Sequence, residues 1–334
     1  MAPKLTICIP TYNRGEFALN QVLHTLPLID DNWAILVLDN CSSLSKEEYR
    51  QIELISRSDL RLKYVRHSEN KGFMWNFADC FALSKTPYIQ IVTDEDFSNP
   101  PVLREAIKVL EEFPELGAIR GSIASLGDAV PRNAFNYPDA FLRAGEDALR
   151  VFSLTTNYLS GMVYNKALLS SNGVFDKMMI GLGNNPASCI YPHMYLDILV
   201  ASACDVAFIS EVICFEGSEA PAVQNLQQLA SSGPYSFGGR LEQFIGFRDV
   251  FREVCGKTNT QLLIYLYGRL CEKYLHMFHR DKFLHNHRNL DVVHLHQSMA
   301  YFFMASAHIP EFEGYRNAVG AEFEKALAVS RSFV

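Results

Sequence analysis

The first third of the chain alternates short apolar runs with stretches of helical periodicity. The apolar runs predict strands at residues 5–9, 34–38, 62–65, 88–92 and 118–119. The spacing of apolar positions between them predicts helices at residues 16–26, 45–56, 73–83 and 101–113. This alternation is typical of βαβ units, so we expect an α/β domain with a mostly parallel sheet flanked by helices.

Beyond residue 125 the pattern changes twice. Residues 128–219 are less regular and include glycine-rich stretches at residues 181–186 and 216–219. After residue 234, helical periodicity predicts helices at residues 241–254, 261–278, 290–307 and 311–330. We therefore predict one domain over residues 1–225, with halves at 1–125 and 126–225, followed by a helical carboxy-terminal extension over residues 235–334.

The charge, the cysteine spacing and the amino-terminal sequence each argue against certain classes of protein. The net charge of −7 argues against a nucleic-acid-binding protein, which normally carries a basic surface. The eight cysteines show no C-x-x-C spacing, which favours buried reduced thiols over a zinc or redox site. The amino terminus runs from Met1 directly into a predicted strand, so we expect no signal peptide, no membrane anchor and a cytoplasmic location.

Polar clusters follow four of the predicted strands. In open α/β sheets, ligands bind outside the carboxyl ends of the strands, so we expect these clusters to converge on one crevice. They are Pro10-Thr11-Tyr12-Asn13-Arg14, Asp39-Asn40-Cys41-Ser42-Ser43, His67-Ser68-Glu69-Asn70-Lys71-Gly72 and Thr93-Asp94-Glu95-Asp96.

The acidic triplet Asp94-Glu95-Asp96 is the sharpest local signal. Three consecutive carboxylates at the mouth of an apolar strand are costly unless a positive charge neutralises them. Mg²⁺ or Mn²⁺ prefers oxygen ligands and binds through one or two carboxylates together with phosphates of the substrate. The triplet therefore predicts metal ligands, with a solvated acidic turn that caps the following helix as the alternative.

Taken together, the order and spacing of these clusters resemble the family 2 glycosyltransferases of the GT-A fold. The resemblance covers about the first 125 residues well, about the next 90 weakly and the helical tail hardly at all. The pattern Asn70-x-Gly72-x-x-x-Asn76 and the acidic triplet are most similar to the abequosyltransferase-like branch of this family. The resemblance implies a Rossmann-like nucleotide-binding half over residues 1–125.

The resemblance also implies a donor site. Pro10, Thr11 and Tyr12, after the first strand, would line the base and ribose pocket. Asp39 would accept hydrogen bonds from the base or the ribose. The turn at residues 70–72 would let the backbone approach the nucleotide, and its lysine would meet a phosphate. Thr93 stands where the family usually has Asp, which leaves open whether Asp94 with Asp96, or Glu95, holds the metal. The implied donor-binding residues are Pro10, Thr11, Tyr12, Arg14, Asp39, Asn70, Lys71, Gly72 and Asp94.

Inverting sugar transfer needs a general base for the acceptor hydroxyl, which this family usually supplies as Asp or Glu at a helix start. The segment ending in Asp176 resembles the family's Gly-Gly-Phe-Asp turn, but the expected acidic pair after it is absent. His193 stands in roughly its place and is our first candidate, with Asp197 one helical turn later as orienter or alternative base. The alternatives are a capping role for His193 and a buried hydrogen-bonding role for Asp197. Asp176 and Glu211 are weaker candidates.

The resulting expectation is an inverting glycosyltransferase that moves a sugar from a nucleotide diphosphate sugar to a saccharide acceptor, with Mg²⁺ or Mn²⁺. The family branch points to surface polysaccharide or O-antigen type biosynthesis. There are two alternatives: a non-catalytic protein that binds a sugar nucleotide or a glycan, and a nucleotidyltransferase. A nucleotidyltransferase usually has a glycine-rich basic loop after its first strand, and residues 10–13 do not form such a loop.

Histidine is concentrated near the carboxyl terminus. Seven of the ten histidines lie between His276 and His308. One interpretation is a face that docks on anionic lipid at the inner side of the membrane, near a lipid-linked acceptor. A helical bundle with exposed histidines, or a homodimer interface, is the interpretation that we favour.

Overall fold

A computed structural model of the chain describes residues 3–125, 135–156, 158–217, 237–256 and 259–284, together with positions 317 and 321. The chain divides into two compact units. The first comprises Met1–Leu182 and Tyr191–Ala220, and the second comprises Gly183–Ile190 and Pro221–Val334. The predicted domain boundary between residues 225 and 235 lies outside the described residues.

The first unit is built on a mixed sheet. Its described strands are β1 (Leu5–Thr11), β2 (Trp33–Asp39), β3 (Leu62–Arg66), β4 (Tyr88–Ile91), β5 (Phe97–Ser98), β6 (Leu116–Ser125), β7 (Ala140–Leu142), β8 (Met162–Asn165) and β9 (Asp205–Glu216). Their order is β3-β2-β1-β4-β8-β6-β9-β5, with β7 paired to β9. Strands β1 to β4 are parallel, whereas β8 runs antiparallel to β4 and β6. The predicted α/β class is confirmed.

Helices follow most of these strands. In the first unit they are α1 (Gly15–Thr25), α2 (Lys46–Ser58), α3 (Phe73–Leu83), α4 (Pro100–Glu112), α5 (Glu146–Val151), α6 (Lys166–Ser171), α7 (Val174–Gly181) and α9 (Pro192–Ala203). A 3₁₀ turn at Leu26–Leu28 continues α1. Helix α4 begins at the Pro100-Pro101 pair, since proline is well tolerated in the first turn, where the backbone N–H groups have no partner within the helix.

Helices cover both faces of the central strands. Ile7 of β1 belongs to the same buried cluster as Ile52 of α2 and Leu103 of α4. The next residue, Cys8, faces the other way, and its thiol lies 3.6 Å from the carbonyl oxygen of Cys80 on α3. Because both faces are buried, β1 and β2 are continuous apolar runs in the sequence. The polar groups are left to the carboxyl ends of the strands.

The second unit is helical in its described part. It contains α8 (Pro186–Ile190), α10 (Phe237–Cys255) and α11 (Thr260–Leu284). The side-chain amide of Asn185 donates to the carbonyl oxygen of Gly246, 3.0 Å away, which ties the start of α8 to α10. A Cβ on Gly246 would lie 2.3 Å from Asn185 Oδ1, so this contact needs glycine.

The predicted helices at 241–254 and 261–278 correspond to α10 and α11, and both run a few residues further. The predicted helices at 290–307 and 311–330 lie outside the described residues except at positions 317 and 321, which are helical. The histidine-rich stretch from His285 onward also lies outside them. No helix in the described part of the chain is long and apolar enough to cross a membrane.

Gly121 of β6 lies directly against Ile213 of β9. A Cβ on Gly121 would lie 2.5 Å from the Cβ of Ile213. We expect Gly121→Ala to lower the free energy of unfolding by about 1–3 kcal/mol, because the added methyl group overpacks the contact. Urea denaturation followed by tryptophan fluorescence measures this loss, since Trp33 and Trp75 are the two tryptophans of the chain and both lie in the first unit.

Ile213→Gly provides the matched background for this test, because it removes the Cβ that the added methyl group would meet. If the clash with Ile213 causes the loss, Gly121→Ala costs less in the Ile213→Gly protein. An equal cost in both backgrounds would show that the close approach is not the cause.

Candidate functional site

The carboxyl ends of β1, β2 and β4 bring predicted donor residues together. Thr11 ends β1 and is in register with Asp39, which ends β2. The acidic turn follows β4, and the Thr11 hydroxyl donates to Asp94 Oδ2 at 2.8 Å. Thr11, Asp39 and Asp94 are all buried. The predicted convergence of strand ends is therefore present around these three residues.

Arg14 supplies the positive charge next to the acidic turn. Its Nη2 lies 2.6 Å from Glu95 Oε2 and 3.1 Å from Asp94 Oδ1. The Asp94 side chain is 6% exposed, whereas those of Arg14 and Glu95 are 27% and 24% exposed. Burial raises the pKa of Asp94 well above its usual range, and the Arg14 guanidinium opposes that rise. Ionisation of Asp94 therefore depends on an adjacent cation.

Asp96 has a different environment from its two neighbours. Its Oδ1 accepts hydrogen bonds from the Tyr158 hydroxyl at 2.6 Å and the Gly217 N–H at 3.2 Å. Its Oδ2 accepts from the hydroxyls of Thr93 and Ser160, both at 2.6 Å. Burial raises the pKa of Asp96 to about 6, and the hydroxyl donors partly offset the effect. Asp96 thus fastens the acidic turn to the segment before β8 and to the end of β9.

The three carboxylates predicted as metal ligands therefore have different partners. Asp94 and Glu95 each place one oxygen within 3.1 Å of the same guanidinium nitrogen. Both oxygens of Asp96 already accept hydrogen bonds. Among the residues that the structure describes, no group of three or more His, Cys, Asp and Glu side chains is arranged to hold a metal ion. Two carboxylates fit a Mg²⁺ or Mn²⁺ ion that also binds phosphate oxygens.

Asp39 shapes the loop that follows β2. Its Oδ1 accepts from the Ser42 N–H at 2.8 Å. Its Oδ2 accepts from the Tyr64 hydroxyl at 2.8 Å and lies 3.2 Å from Arg66 Nε. These contacts give both oxygens of this buried carboxylate a partner. A ligand that binds Asp39, as the family resemblance implies, would share it with these three donors.

The predicted turn at residues 70–72 is anchored to the same loop. Asn70 Oδ1 accepts from Asn40 Nδ2 at 2.8 Å and from the Gly72 N–H at 2.9 Å. The Lys71 N–H donates to Asn40 Oδ1 at 2.9 Å, while its Nζ pairs with Asp79 at 2.8 Å. Gly72 has a φ of +80°, which favours glycine at this position.

Tyr49 is a site residue that the sequence analysis missed. Its hydroxyl donates to Thr11 Oγ1 at 2.8 Å, because Thr11 uses its own proton for Asp94. The same hydroxyl accepts from the Arg14 N–H at 3.1 Å. A buried tyrosine on the apolar face of α2 has the sequence signature of a core residue, so nothing in the pattern indicates this role. Of the other predicted residues, Pro10 is buried and Tyr12 is 43% exposed.

The two candidates for catalysis lie on the first turns of α9, and both are buried. The His193 ring packs edge-on against Tyr191, with ring centroids 5.9 Å apart. Asp197 accepts a hydrogen bond from the Arg120 guanidinium and another from the Tyr164 hydroxyl, the latter at 3.0 Å. Asp197 therefore lies in a buried ion pair. This environment is the one expected if Asp197 has a buried hydrogen-bonding role, the alternative to a catalytic role. Arg120, on β6, was not foreseen.

Comparison with known proteins assigns the part of the chain that holds this site. Residues 6–170 match the family model described as "Glycosyl transferase family 2". The matched segment includes Thr11, Arg14, Asp39 and the acidic turn. Residues 6–170 are a family 2 glycosyltransferase domain. The two predicted catalytic residues lie beyond the matched segment.

One curated relative matches part of the chain. WcaA of Escherichia coli (strain K12), a glycosyl transferase named for colanic acid biosynthesis, is 28% identical over 98 residues. The match covers 29% of this chain and 34% of WcaA, so the chain spans about a third of the length of this relative. The abequosyltransferase-like branch is not among these findings.

Solved glycosyltransferase structures share the fold. S. aureus TarS 1-349 superposes with a TM-score of 0.65 at 13% identity, covering 99% of this chain and 91% of that chain. Its complex with UDP-GlcNAc gives 0.60 at 16% identity, covering 94% and 92%. The mannosyltransferase PcManGT of Pyrobaculum calidifontis, in complex with GDP-Man and Mn²⁺, gives 0.50 at 15% identity, covering 98% and 87%. The predicted GT-A architecture is thereby confirmed.

Arg120→Met tests the buried ion pair under α9. The substitution leaves the Asp197 carboxylate buried without its guanidinium, so we expect a loss of about 3–5 kcal/mol in the free energy of unfolding. Urea denaturation followed by tryptophan fluorescence gives the value. The double variant Arg120→Met/Asp197→Leu is the control and should recover most of the loss, since apolar residues often replace a buried pair at little cost. A loss below about 1 kcal/mol in Arg120→Met would contradict a tightly coupled pair.

Proposed function

We propose that this chain is an inverting glycosyltransferase that moves a sugar from a nucleotide diphosphate sugar to a saccharide acceptor. One observation carries the proposal: Thr11, Arg14, Asp94 and Glu95 converge at the carboxyl edge of the sheet within the family 2 domain. A guanidinium beside two carboxylates offers groups for both a diphosphate and the divalent cation that accompanies it.

The proposed donor site has two ends. The nucleoside would bind where β1 and β2 end, between residues 10–12 and Asp39. The diphosphate would lie towards Arg14 and the acidic turn, with the turn at residues 70–72 nearby. Support for this class of donor comes from TarS and PcManGT, which have the same fold and were solved with UDP-GlcNAc and with GDP-Man.

The acidic turn would hold Mg²⁺ or Mn²⁺ through Asp94 and Glu95. Such a cation, when bound, neutralises negative charge on the leaving diphosphate. Thr11 holds one oxygen of Asp94 in place, and Asp96 keeps the turn fixed through its four hydrogen bonds. We therefore assign Asp96 to positioning of the turn, and Asp94 and Glu95 to the metal.

On the acceptor side, we assign proton removal to His193. The acceptor hydroxyl oxygen forms the new bond to the anomeric carbon as its proton passes to the imidazole. The bond from that carbon to the diphosphate oxygen breaks on the opposite face, and the nucleoside diphosphate leaves with the electron pair. Asp197, held by Arg120 and Tyr164, would fix the register of α9 on which His193 stands.

The biological role and location are further parts of the proposal. A surface polysaccharide or a lipid-linked repeat unit is the proposed acceptor, as WcaA is named for colanic acid biosynthesis. The abequosyltransferase-like branch rests on the motifs at residues 70–76 and 94–96 alone. A cytoplasmic site of action agrees with the free thiols of the cysteines whose side chains are described. The histidine-rich tail is proposed to mediate a dimer or docking on the inner face of the membrane.

A thermal-shift screen of UDP, GDP, CDP and dTDP, each with and without Mn²⁺, tests the donor class. We expect one of these nucleotides to raise the melting temperature only when Mn²⁺ is present, because binding at 100 Kd stabilises the native state by about 2.7 kcal/mol. The double variant Asp94→Asn/Glu95→Gln should lose the shift and keep its fold. A metal-dependent shift of the same size in that variant would contradict the assignment of the two carboxylates.

His193→Ala tests the general base. We expect kcat to fall by roughly 10² or more while nucleotide affinity stays near that of the parent, because the base acts on the acceptor only. His24→Ala, at an exposed position on α1, is the control and should retain the parental kcat. Parental kcat in His193→Ala would move the role to Asp197. Donor binding without turnover in the unchanged protein would favour the non-catalytic binder, for which the missing acidic pair near His193 is the sequence argument.

A further inference from the structure

Arg14 places a positive charge against the acidic turn in this structure. One nitrogen of its guanidinium contacts carboxylate oxygens of both Glu95 and Asp94, at 2.6 and 3.1 Å. These are the oxygens that a divalent cation would use. The protein therefore already holds a positive charge at the position where its proposed function requires a metal ion.

The backbone around Arg14 is held by hydrogen bonds, whereas its side chain is partly exposed. The Arg14 N–H donates to the Tyr49 hydroxyl at 3.1 Å, and the Asn13 N–H donates to Ser42 Oγ at 2.8 Å. Asn13 Oδ1 in turn accepts from the N–H of Ser43 at 2.7 Å. The guanidinium packs over the Phe17 ring, 5.0 Å from its centroid, and the side chain is about one quarter exposed. Rotation about side-chain bonds can move the charge without disturbing the strand end.

A guanidinium and a metal ion cannot occupy this position together. A magnesium ion would bind these carboxylate oxygens directly, so it would compete with the Arg14 guanidinium for the two oxygens that the guanidinium now contacts. Two positive centres in contact with the same oxygens also repel each other strongly. Either the cation displaces the guanidinium, or the guanidinium excludes the cation.

We propose that Arg14 is a built-in counter-ion that competes with the divalent cation for Asp94 and Glu95, and that the arriving cation releases the guanidinium to bind the donor diphosphate. Only the second half of this inference, the release of Arg14 to the donor diphosphate, rests on the proposed function. A planar guanidinium binds phosphate oxygens through two parallel hydrogen bonds. While the metal is absent, the carboxylates of Asp94 and Glu95 compete with phosphate for the same N–H donors. Arg14 thereby links metal binding to donor binding.

The competition is measured with Mn²⁺ alone, by electron paramagnetic resonance of the free ion in titrations of the full chain. Arg14→Gln removes the competing charge, so we expect it to bind Mn²⁺ about tenfold more tightly than the parent, the effect of one ion pair near a protein surface. Arg14→Lys keeps the charge and should bind Mn²⁺ more weakly than Arg14→Gln. Arg104→Gln is the matched control, because Arg104 lies over Trp33, and should leave the affinity unchanged.

The double variant Arg14→Gln/Glu95→Gln locates the effect, since it should lose the gain in Mn²⁺ affinity. Arg14→Met replaces Arg14→Gln if the glutamine variant does not fold. Equal or weaker Mn²⁺ binding in a folded neutral variant would overturn the proposal, as would the absence of Mn²⁺ binding in both the parent and that variant at millimolar concentration.

A second titration separates this inference from the proposed function. With Mn²⁺ saturating, we expect UDP or GDP to bind Arg14→Gln at least about tenfold more weakly than the parent, because the released guanidinium is missing. Unchanged nucleotide affinity would overturn the transfer of Arg14 to the diphosphate. Tighter Mn²⁺ binding in Arg14→Gln, combined with no nucleotide binding by any variant, would support the competition and contradict the proposed function.

Discussion

The site depends on a carboxylate that is buried at the end of β4. Asp94 lies beside Glu95 in surroundings that disfavour its charge, so it needs a cation within contact distance. Arg14 meets this need from the end of β1, and Thr11 adds a hydrogen bond. Parallel pairing of β1 with β4 makes this contact possible, because it brings both strand ends to one edge. The same charge balance would attract a metal ion and a diphosphate.

Two further sets of contacts keep this edge rigid. Tyr49 fixes Thr11 and the backbone of Arg14 from the side of α2. Asp96 joins the acidic turn to Tyr158, Ser160 and Gly217, although it is next to the proposed metal ligands in sequence. A Cβ on Gly217 would lie 1.8 Å from the Glu95 carbonyl oxygen, so the end of β9 lies directly against the turn. In our proposal these neighbouring carboxylates have separate roles, with Asp94 and Glu95 assigned to the metal and Asp96 to support of the turn.

The parallel half of the fold could be predicted from the sequence, and much of the rest could not. Strands β1 and β2 are continuous apolar runs, β3 and β4 are mainly apolar, and all four end in polar clusters. Both their existence and their common edge therefore follow from the pattern. The two-residue β5 and the three-residue β7 are too short to show a period. Tyr49, Arg120 and the bracing role of Asp96 depend on partners 35 to 121 residues away in the chain, which local spacing does not reveal.

The central claim is that Asp94 and Glu95 hold the metal at the diphosphate end of the donor site. Anomalous diffraction at the manganese edge, from crystals of the full chain grown with Mn²⁺ and the nucleotide that binds, tests this claim most directly. The account predicts a manganese peak about 2.1–2.3 Å from an oxygen of Asp94 or Glu95, with the diphosphate bound to the same ion. A diphosphate at this edge with no manganese on either carboxylate, or manganese and nucleotide bound elsewhere, would contradict it.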